Sequence, residues 1–242
     1  MKVIVTKNYT EMSAKAYEVI KQVMQDTNGK AILGLATGST PIGMYKNMVA
    51  DYEAGNVSYK NARSVNLDEY VGLPKTHDQS YYYFMHDNLF NHIDIEENNV
   101  NLPDGNTGDP DKACADYTAL LATMQQDVQV LGIGSNGHIG FNEPGTPFDS
   151  ATHIVKLHEG TRSDNARFFD SLADVPTHAI TMGIANIMNA KKILVLASGQ
   201  GKANAVKAMV QGPIDPICPA SVLQNHPDVV VVVDEAAASL LN

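Results

Sequence analysis

Ala31-Ile-Leu-Gly-Leu-Ala36, an apolar run of strand length, is followed at once by the turn Thr37-Gly-Ser-Thr-Pro41. Behind the turn, apolar and aromatic residues recur from Met44 to Tyr52 at spacings of one and three residues. This order predicts a buried strand, a tight turn and an amphipathic helix.

The same pattern returns later in the chain. Lys192-Ile-Leu-Val-Leu-Ala197 precedes the turn Ser198-Gly-Gln-Gly201, and a helical pattern starts at Lys202. The run Val229 to Val233 is apolar without alternation, as expected of a strand covered on both faces of a parallel sheet. Further strands are predicted at 2–5, 63–67, 128–133 and 180–182, and helices near 11–25, 80–92, 111–125 and 183–189.

These elements alternate along the whole chain, with no linker, repeat or low-complexity tract between them. We therefore expect an α/β fold in which residues 1–242 form a single domain. Its doubly wound, mostly parallel sheet would carry helices on both faces, as a Rossmann-like three-layer sandwich. Ligands bind such sheets beyond the carboxyl ends of the strands, so the residues that follow each strand are the candidates for chemistry.

Composition narrows the classes of partner. The 242 residues include 17 Lys and Arg against 27 Asp and Glu, a net charge of −10, without a basic cluster. We therefore expect no nucleic-acid partner and no membrane-surface partner, whereas a small anion needs only a few donors. Cys114 and Cys218 form no CxxC motif, and no targeting segment or apolar run of spanning length is present, so we expect a cytoplasmic protein.

Two of the turns have the composition of anion sites. Thr37, Gly38, Ser39 and Thr40 join a strand to a helix, where free backbone amides attract an anion, although the turn lacks the Walker pattern and a simple helix cap would look the same. Lys202 stands at the start of the next helix, a position that is unfavourable for a cation unless an anion lies nearby. Together they favour one phosphate site.

Two other segments carry acid–base groups. Asp68 and Glu69 follow a predicted strand, and because successive side chains alternate, we expect at most one of them to enter the cleft. The glycine-rich segment 132–144 fits G-x-G-x-x-G, but glycines and prolines follow it instead of a helix, so the dinucleotide interpretation fails. It presents Asn136, His138 and Glu143, and a carboxylate can orient a histidine for proton transfer.

A metal cofactor is not expected. The eight histidines are scattered, and the chain has no HExxH motif, no Cys/His cluster and no GxSxG motif. Arg162 and Arg167 lie near two phenylalanines, and Arg167 is a candidate phosphate ligand, although both arginines could equally form surface ion pairs. Acid–base chemistry on a phosphorylated small molecule, without cofactors, is what these residues allow.

Four segments closely resemble the glucosamine-6-phosphate deaminase family, in order and over nearly the whole chain. They are LATGSTP (35–41), NLDEYVGL (66–73), GIGSNGHIGFNEP (132–144) and NARFF (165–169). The resemblance implies an enzyme of amino-sugar catabolism that converts glucosamine 6-phosphate and water into fructose 6-phosphate and ammonia. It also implies that Asp68 moves the C2 proton and that His138, supported by Asn136 and Glu143, opens the ring. The phosphate would be held by Thr37, Gly38, Ser39, Thr40, Arg167 and Lys202.

Two departures from the family pattern affect these expectations. Many members have Asp where this chain has Asn136, so we expect Glu143 to be the main electrostatic partner of His138. Longer members have a C-terminal extension and a basic allosteric pocket, where this chain has His153 and Val155. We therefore expect an unregulated short form, either a monomer or a small homo-oligomer.

Two alternatives remain open at this point. A 6-phosphogluconolactonase-like sugar-phosphate hydrolase would have a related fold and phosphate loop but would need no proton transfer by Asp68. A non-catalytic sugar-phosphate-binding domain, such as the sensor of a regulator, would not need Asp68 and His138 at the ligand edge.

Overall fold

The structure, a computed structural model, describes residues 1–157, 162, 169 and 171–242. Its largest feature is a seven-stranded sheet whose paired strands all run parallel. The described strands are β1 (Lys2–Thr6), β2 (Ile32–Leu35), β3 (Arg63–Asn66), β4 (Asp68–Tyr70), β5 (Val100–Asn101), β6 (Val128–Leu131), β7 (His153–Lys156), β8 (His178–Thr181), β9 (Ile193–Ala197) and β10 (Val229–Asp234). The order in the large sheet is β1-β10-β9-β6-β2-β3-β5.

The burial of each strand agrees with its position in the large sheet. Every residue of the central strands β6, β9 and β10 is buried, whereas the edge strands β1 and β5 are partly exposed. A strand buried on both faces needs a layer on each side, and this confirms the prediction from the valine run.

Helices surround this sheet. The described α-helices are α1 (Tyr9–Asp26), α2 (Ile42–Glu53), α3 (Tyr81–Asn88), α4 (Pro110–Ala122), α5 (Ile184–Met188), α6 (Ala203–Gln211) and α7 (Glu235–Ala238). Short 3₁₀ helices occupy Phe90–His92, Glu97–Asn99, Gln200–Lys202 and Pro219–Asn225. None of the helices among the described residues is long and apolar enough to cross a membrane.

Helices α1, α3, α4 and α7 begin at residues whose side chains accept a hydrogen bond from one of their first amides. The Asn8 side chain accepts a hydrogen bond from the Glu11 amide at the start of α1, and Asp109 does the same for the Lys112 amide of α4. Helices α1 and α2 pack closely at Gly43, because a Cβ there would lie 2.2 Å from Ser13 Oγ. Fully buried Met12, Ile20, Met44 and Met48 contribute to the hydrophobic core.

A second, antiparallel sheet of three strands, β4-β8-β7, was not predicted. The strand expected at 63–67 ends at Asn66, and the chain passes through Leu67 directly into β4, so residues 68–70 are a strand and not a loop. Leu67 joins the two sheets, since its amide donates to Leu35 and its carbonyl accepts from Met182. Strand β4 is short and polar, and β7 has only two apolar residues, Ile154 and Val155, so neither carries a clear strand pattern.

The order of the large sheet reverses between β2 and β6. From β2 the strands continue to β3 and β5, and on the other side of the pair they continue through β9 and β10 to β1. Loops that leave neighbouring strands at such a reversal diverge to opposite faces and open a crevice at the carboxyl edge. The loops after β2, β6 and β9 therefore start side by side at this edge.

Candidate active site

The loop after β2 is held by two tyrosines from outside it. Tyr45 donates from its hydroxyl to the Ala36 carbonyl at 2.5 Å and accepts from the Ala36 amide at 3.2 Å. Tyr9 donates to the Ser39 carbonyl at 3.0 Å and accepts from the Gly43 amide at 2.8 Å. These hydrogen bonds hold the loop at its start, at Ala36, and in its middle, at Ser39.

The same loop leaves backbone donors available. Gly38 is exposed and takes φ +88°, a conformation that favours glycine, and no side chain caps the start of α2. The amides of Gly38, Ser39 and Thr40 donate no hydrogen bond to another described residue. Free amides at a helix start are the features that an anion binds.

The loop after β9 is held by an aspartate that the sequence analysis missed. The Asp234 carboxylate, at the end of β10, accepts from the Ser198 hydroxyl at 2.5 Å and from the Gly199 amide at 3.0 Å. It also accepts from the Ala237 amide at the start of α7. Burial opposes its ionisation, but these hydrogen bonds outweigh burial and hold the pKa of Asp234 below its usual value. Lys202, half-buried at the N-cap of α6, follows this loop.

The loop after β6 brings three predicted residues together. Glu143 lies beside the His138 ring, with Oε1 3.6 Å from Nδ1, and its Oε2 accepts from the Asn136 side-chain amide at 2.7 Å. The Asn136 side-chain oxygen, Oδ1, accepts from the His138 backbone amide at 3.2 Å. Asn136 therefore orients Glu143, and Glu143 is the carboxylate that faces the imidazole.

Glycines let this loop fold back on itself. The His138 ring lies over Gly134, where a Cβ would be 2.3 Å from the ring, and the Gly134 amide donates to the His138 carbonyl. Gly137, at φ +86°, packs against Cys218. No helix follows, so these glycines serve close packing around the histidine and not a dinucleotide.

Asp68 lies against this loop from the second sheet. Strand β4 pairs it with Thr181 on β8, whose hydroxyl accepts from the Phe141 amide at 3.1 Å. A Cβ on Gly140 would lie 3.7 Å from Asp68 Oδ2, so the loop backbone runs beside the carboxyl group. Asp68 is 6% exposed, and its burial, with a smaller effect from Glu69, raises its pKa to about 8.

Glu69 is also buried, and its carboxylate holds the start of α3. Its carboxylate accepts hydrogen bonds from the amides of Tyr70, Tyr81 and Tyr82, each at 2.9 Å. Burial raises its pKa, against the opposing effect of these three bonds. Glu69 therefore caps α3, while Asp68 is the acid beside the Gly140 loop.

Tyr81, the first residue of α3, was not predicted as a site residue. Its ring lies 4.7 Å from that of Tyr70 and stacks on Phe141 at 6.2 Å. Burial, Tyr70 and Asp68 raise the pKa of its hydroxyl well above the usual value, against a hydrogen bond with the Thr37 side chain. Tyr81 therefore links the anion loop, through its hydroxyl, to the loop that carries Phe141, through its ring.

Two expectations concern the segment after β7. Arg167 lies outside the described residues. Arg162 is described, and its guanidinium donates to the carbonyls of Leu172 and Val175 at 2.9 and 3.0 Å. Among the residues that the structure describes, no group of three His, Cys, Asp or Glu side chains could hold a metal ion.

Comparison with known proteins narrows the chemistry. Residues 7–232 match the family model described as glucosamine-6-phosphate isomerases/6-phosphogluconolactonase. The chain is 52% identical to a glucosamine-6-phosphate deaminase of Clostridium perfringens over 244 aligned positions, covering 100% of both chains. It is 53% identical to the deaminase of Clostridioides difficile, covering 100% of this chain and 97% of that one.

Solved structures of a deaminase and of a lactonase differ in how similar they are to this chain. A monomeric glucosamine-6-phosphate deaminase superposes with a TM-score of 0.96 at 45% identity, covering 99% of this chain and 100% of that chain. A 6-phosphogluconolactonase from Trypanosoma brucei superposes with a TM-score of 0.83 at 20% identity, covering 100% and 98%. The second likeness shows only the fold.

Proposed function

The chain belongs to the family of glucosamine-6-phosphate isomerases and 6-phosphogluconolactonases, and within it we propose that the chain is a glucosamine-6-phosphate deaminase. It converts glucosamine 6-phosphate and water into fructose 6-phosphate and ammonia. One observation carries the choice: a buried carboxyl, Asp68, lies against the loop that carries His138 and Glu143, at the same sheet edge as the anion loops. Hydrolysis of a lactone needs no carbon acid–base group, whereas isomerisation of an amino sugar does.

The phosphate binds at the loop ends. The amides of Gly38, Ser39 and Thr40 and the hydroxyls of this loop surround it, and Lys202 supplies a positive charge. We assign Arg167 to the same phosphate from the family resemblance alone. Positive potential from helix starts and one lysine is enough for a small dianion, although the whole chain carries a charge of −10.

Ring opening uses His138. It accepts the proton of the C1 hydroxyl as the bond from C1 to the ring oxygen breaks, and it returns that proton to the ring oxygen. The products of this step are a C1 aldehyde and a C5 hydroxyl. Glu143, 3.6 Å from Nδ1, stabilises the imidazolium that forms in between, and Asn136 keeps Glu143 in place.

Isomerisation uses Asp68. As a carboxylate it takes the proton from C2, and the electron pair of the C2–H bond forms the C1–C2 double bond of an enolamine while the aldehyde oxygen takes a proton from solvent. Asp68 then gives its proton to C1, which leaves an iminium ion at C2 and a carboxylate on Asp68. Water adds to C2, ammonia leaves, and one proton returns to solvent, so that C2 becomes the ketone of fructose 6-phosphate. Because the pKa of free Asp68 is about 8, the fraction of competent base, and with it kcat/KM, should rise between pH 7 and 9.

Product analysis tests the proposal directly. The purified protein is incubated separately with glucosamine 6-phosphate and with 6-phosphogluconolactone, and ammonia, fructose 6-phosphate and 6-phosphogluconate are measured. We expect ammonia and fructose 6-phosphate in equal amounts from the first substrate. Lactone hydrolysis without ammonia release would replace the deaminase assignment by the lactonase, and binding without turnover would indicate the sensor.

We also propose that the protein is a monomer without allosteric activation, and that it acts in the cytoplasm, where phosphorylated sugars are retained. Likeness to a monomeric deaminase supports the first point, and the presence of His153 and Val155 in β7 supports the second. Sedimentation should show a single species of about 26 kDa. Sigmoidal kinetics that N-acetylglucosamine 6-phosphate abolishes would contradict the unregulated form.

A further inference from the structure

Glu69, the residue after Asp68, has no part in the proposed proton transfers. It is only 4% exposed, and its carboxylate accepts three backbone hydrogen bonds. The first amides of a helix have no partner within it. In α3, Glu69 accepts from the amides of Tyr81 and Tyr82, and the Ser80 side chain accepts from the amide of Tyr83. The first three amides of α3 therefore all have acceptors, and two of them share the Glu69 carboxylate of strand β4.

This arrangement places Tyr81. As the first residue of α3, Tyr81 takes its position from the Glu69 cap and from its stacking on Phe141 and Tyr70. Its hydroxyl is hydrogen-bonded to Thr37 of the anion loop. Its ring packs on Phe141, which follows Gly140, the residue beside the Asp68 carboxyl group. Tyr81 therefore contacts both the anion loop and the loop that lies against Asp68.

The geometry of β4 lets adjacent acids act differently. Successive side chains of a strand point to opposite faces, so Glu69 can hold α3 without entering the space beside Gly140 that Asp68 faces. Gly105 covers Glu69 from outside, because a Cβ there would lie 3.0 Å from Glu69 Cγ and 2.0 Å from the Tyr70 carbonyl oxygen. The Glu69 carboxylate is therefore shielded from water, which strengthens its electrostatic effect on its neighbours.

We propose that Glu69 is a positioning residue for proton transfer at Asp68: its carboxylate fixes the first turn of α3, so that the Tyr81 hydroxyl meets Thr37 of the anion loop while the Tyr81 ring packs on Phe141 of the loop beside Asp68. This inference rests on the proposed function. The negative charge of Glu69 has a second effect, since it adds to burial in keeping the neighbouring Asp68 protonated in the free protein. Base strength and substrate position are then set by one buried side chain.

Glu69→Gln tests both effects, because it keeps the shape, removes the charge and turns one acceptor into a donor that faces an amide. We expect kcat to fall about 10- to 100-fold with KM within about threefold, and the acid limb of the kcat/KM profile to move to lower pH by about half a unit or more. Glu97→Gln is the matched control, since Glu97 contacts the Tyr82 hydroxyl and His86 on the outer side of the same helix. It should leave kcat and the pH profile unchanged. A folded Glu69→Gln protein with the kcat and pH profile of the wild type would overturn the proposal.

Two further measurements cover the other outcomes. Tyr81→Phe leaves the Glu69 cap intact and removes only the hydroxyl, and we expect kcat to fall at least about fivefold. Unchanged kinetics in this variant would overturn the proposal even if Glu69→Gln did not fold. Amide hydrogen exchange without substrate should be at least about tenfold faster at Tyr81 and Tyr82 in Glu69→Gln than in wild type. This readout needs no turnover, so it separates failure of the inference from failure of the deaminase assignment.

Discussion

The phosphate end and the proton-transfer end of the proposed site are built by different sheets. The first relies mainly on backbone amides and the second on buried acidic side chains. At the phosphate end, parallel strands β2 and β9 deliver backbone amides and Lys202, and the supporting contacts come from Tyr9, Tyr45 and Asp234. At the proton-transfer end, the antiparallel sheet buries Asp68 and Glu69 side by side. The phosphate end obtains its potential from dipoles that any sequence provides, whereas the other end depends on two side chains whose charge is costly to bury.

The largest test of this contrast is Asp68→Asn. We expect kcat to fall about 10³-fold with little change in KM, because only the proton-transfer end is altered. Deuterium incorporation from solvent at C1 or C2 of the sugar should fall in proportion. Exchange at the wild-type rate would remove Asp68 from the role of base.

The same variant has a stability effect of known sign. In the folded protein the pKa of Asp68 is about 8, above the ordinary value of 3.8, so the folded form holds the proton more tightly than the unfolded form. The free energy of unfolding of the wild type therefore falls as pH rises from about 4 to about 8. Asn cannot ionise, so Asp68→Asn should be more stable than wild type at pH 9, by about 1–3 kcal/mol, and not at pH 4. Denaturant titrations at both pH values measure this, and a gain of equal size at pH 4 would mean that burial of the charge is not its cause.

An effect of intermediate size is expected at the phosphate end. Lys202→Met should raise KM about 10- to 100-fold with kcat within about threefold, and should weaken inhibition by inorganic phosphate to the same extent. Lys207→Met removes an exposed charge from the same helix α6 and is the matched control. If both variants raise KM equally, net charge and not local contact governs phosphate binding.

The smallest effect is expected from Asn136→Asp. Asn136 donates to Glu143 at 2.7 Å, so a carboxylate in its place meets a like charge and favours the protonated form of His138. The acid limb of the kcat profile, measured separately from the Asp68 limb of kcat/KM, should move to higher pH by about half a unit, with maximal kcat changed less than about fivefold. Asn136→Ala loses the hydrogen bond without adding charge, and an equal shift in that variant would assign the effect to position alone.

Much of the phosphate end could be predicted from sequence, because its signals are local. The strands Ile32–Leu35 and Ile193–Ala197 are uninterrupted apolar runs, and glycines in the following turns mark close backbone approach. Less of the proton-transfer end could be predicted. Strand β4 is short and polar, and β7 has only four residues, two of them apolar. Strand β4 also pairs with β8, whose residues lie more than a hundred positions later in the chain. That residues 1–242 form a single domain stays a prediction.

The supporting residues illustrate the same limit. Asp234 ends an apolar run and precedes Glu235-Ala-Ala-Ala, so its role as a helix cap was open to prediction, but its contact with Ser198 was not. Glu69 and Tyr81 are twelve residues apart and meet only because α3 starts against β4. The roles of Asp68, His138, Glu143 and Asn136 stay predictions, and the contacts of Glu69, Tyr81 and Asp234, which support the site from other elements, were not predicted.

The pairing of β1 has a consequence for the order of folding. In the described structure its only sheet neighbour is β10, with Lys2 opposite Val230. A ribosome therefore releases β1 long before the strand that it must join, and the nascent chain holds an unpaired edge while nearly everything between is made. Closing so long a loop is slow, which predicts that assembly of this edge, and with it the placement of Asp234 under the β9 loop, is a late step in folding.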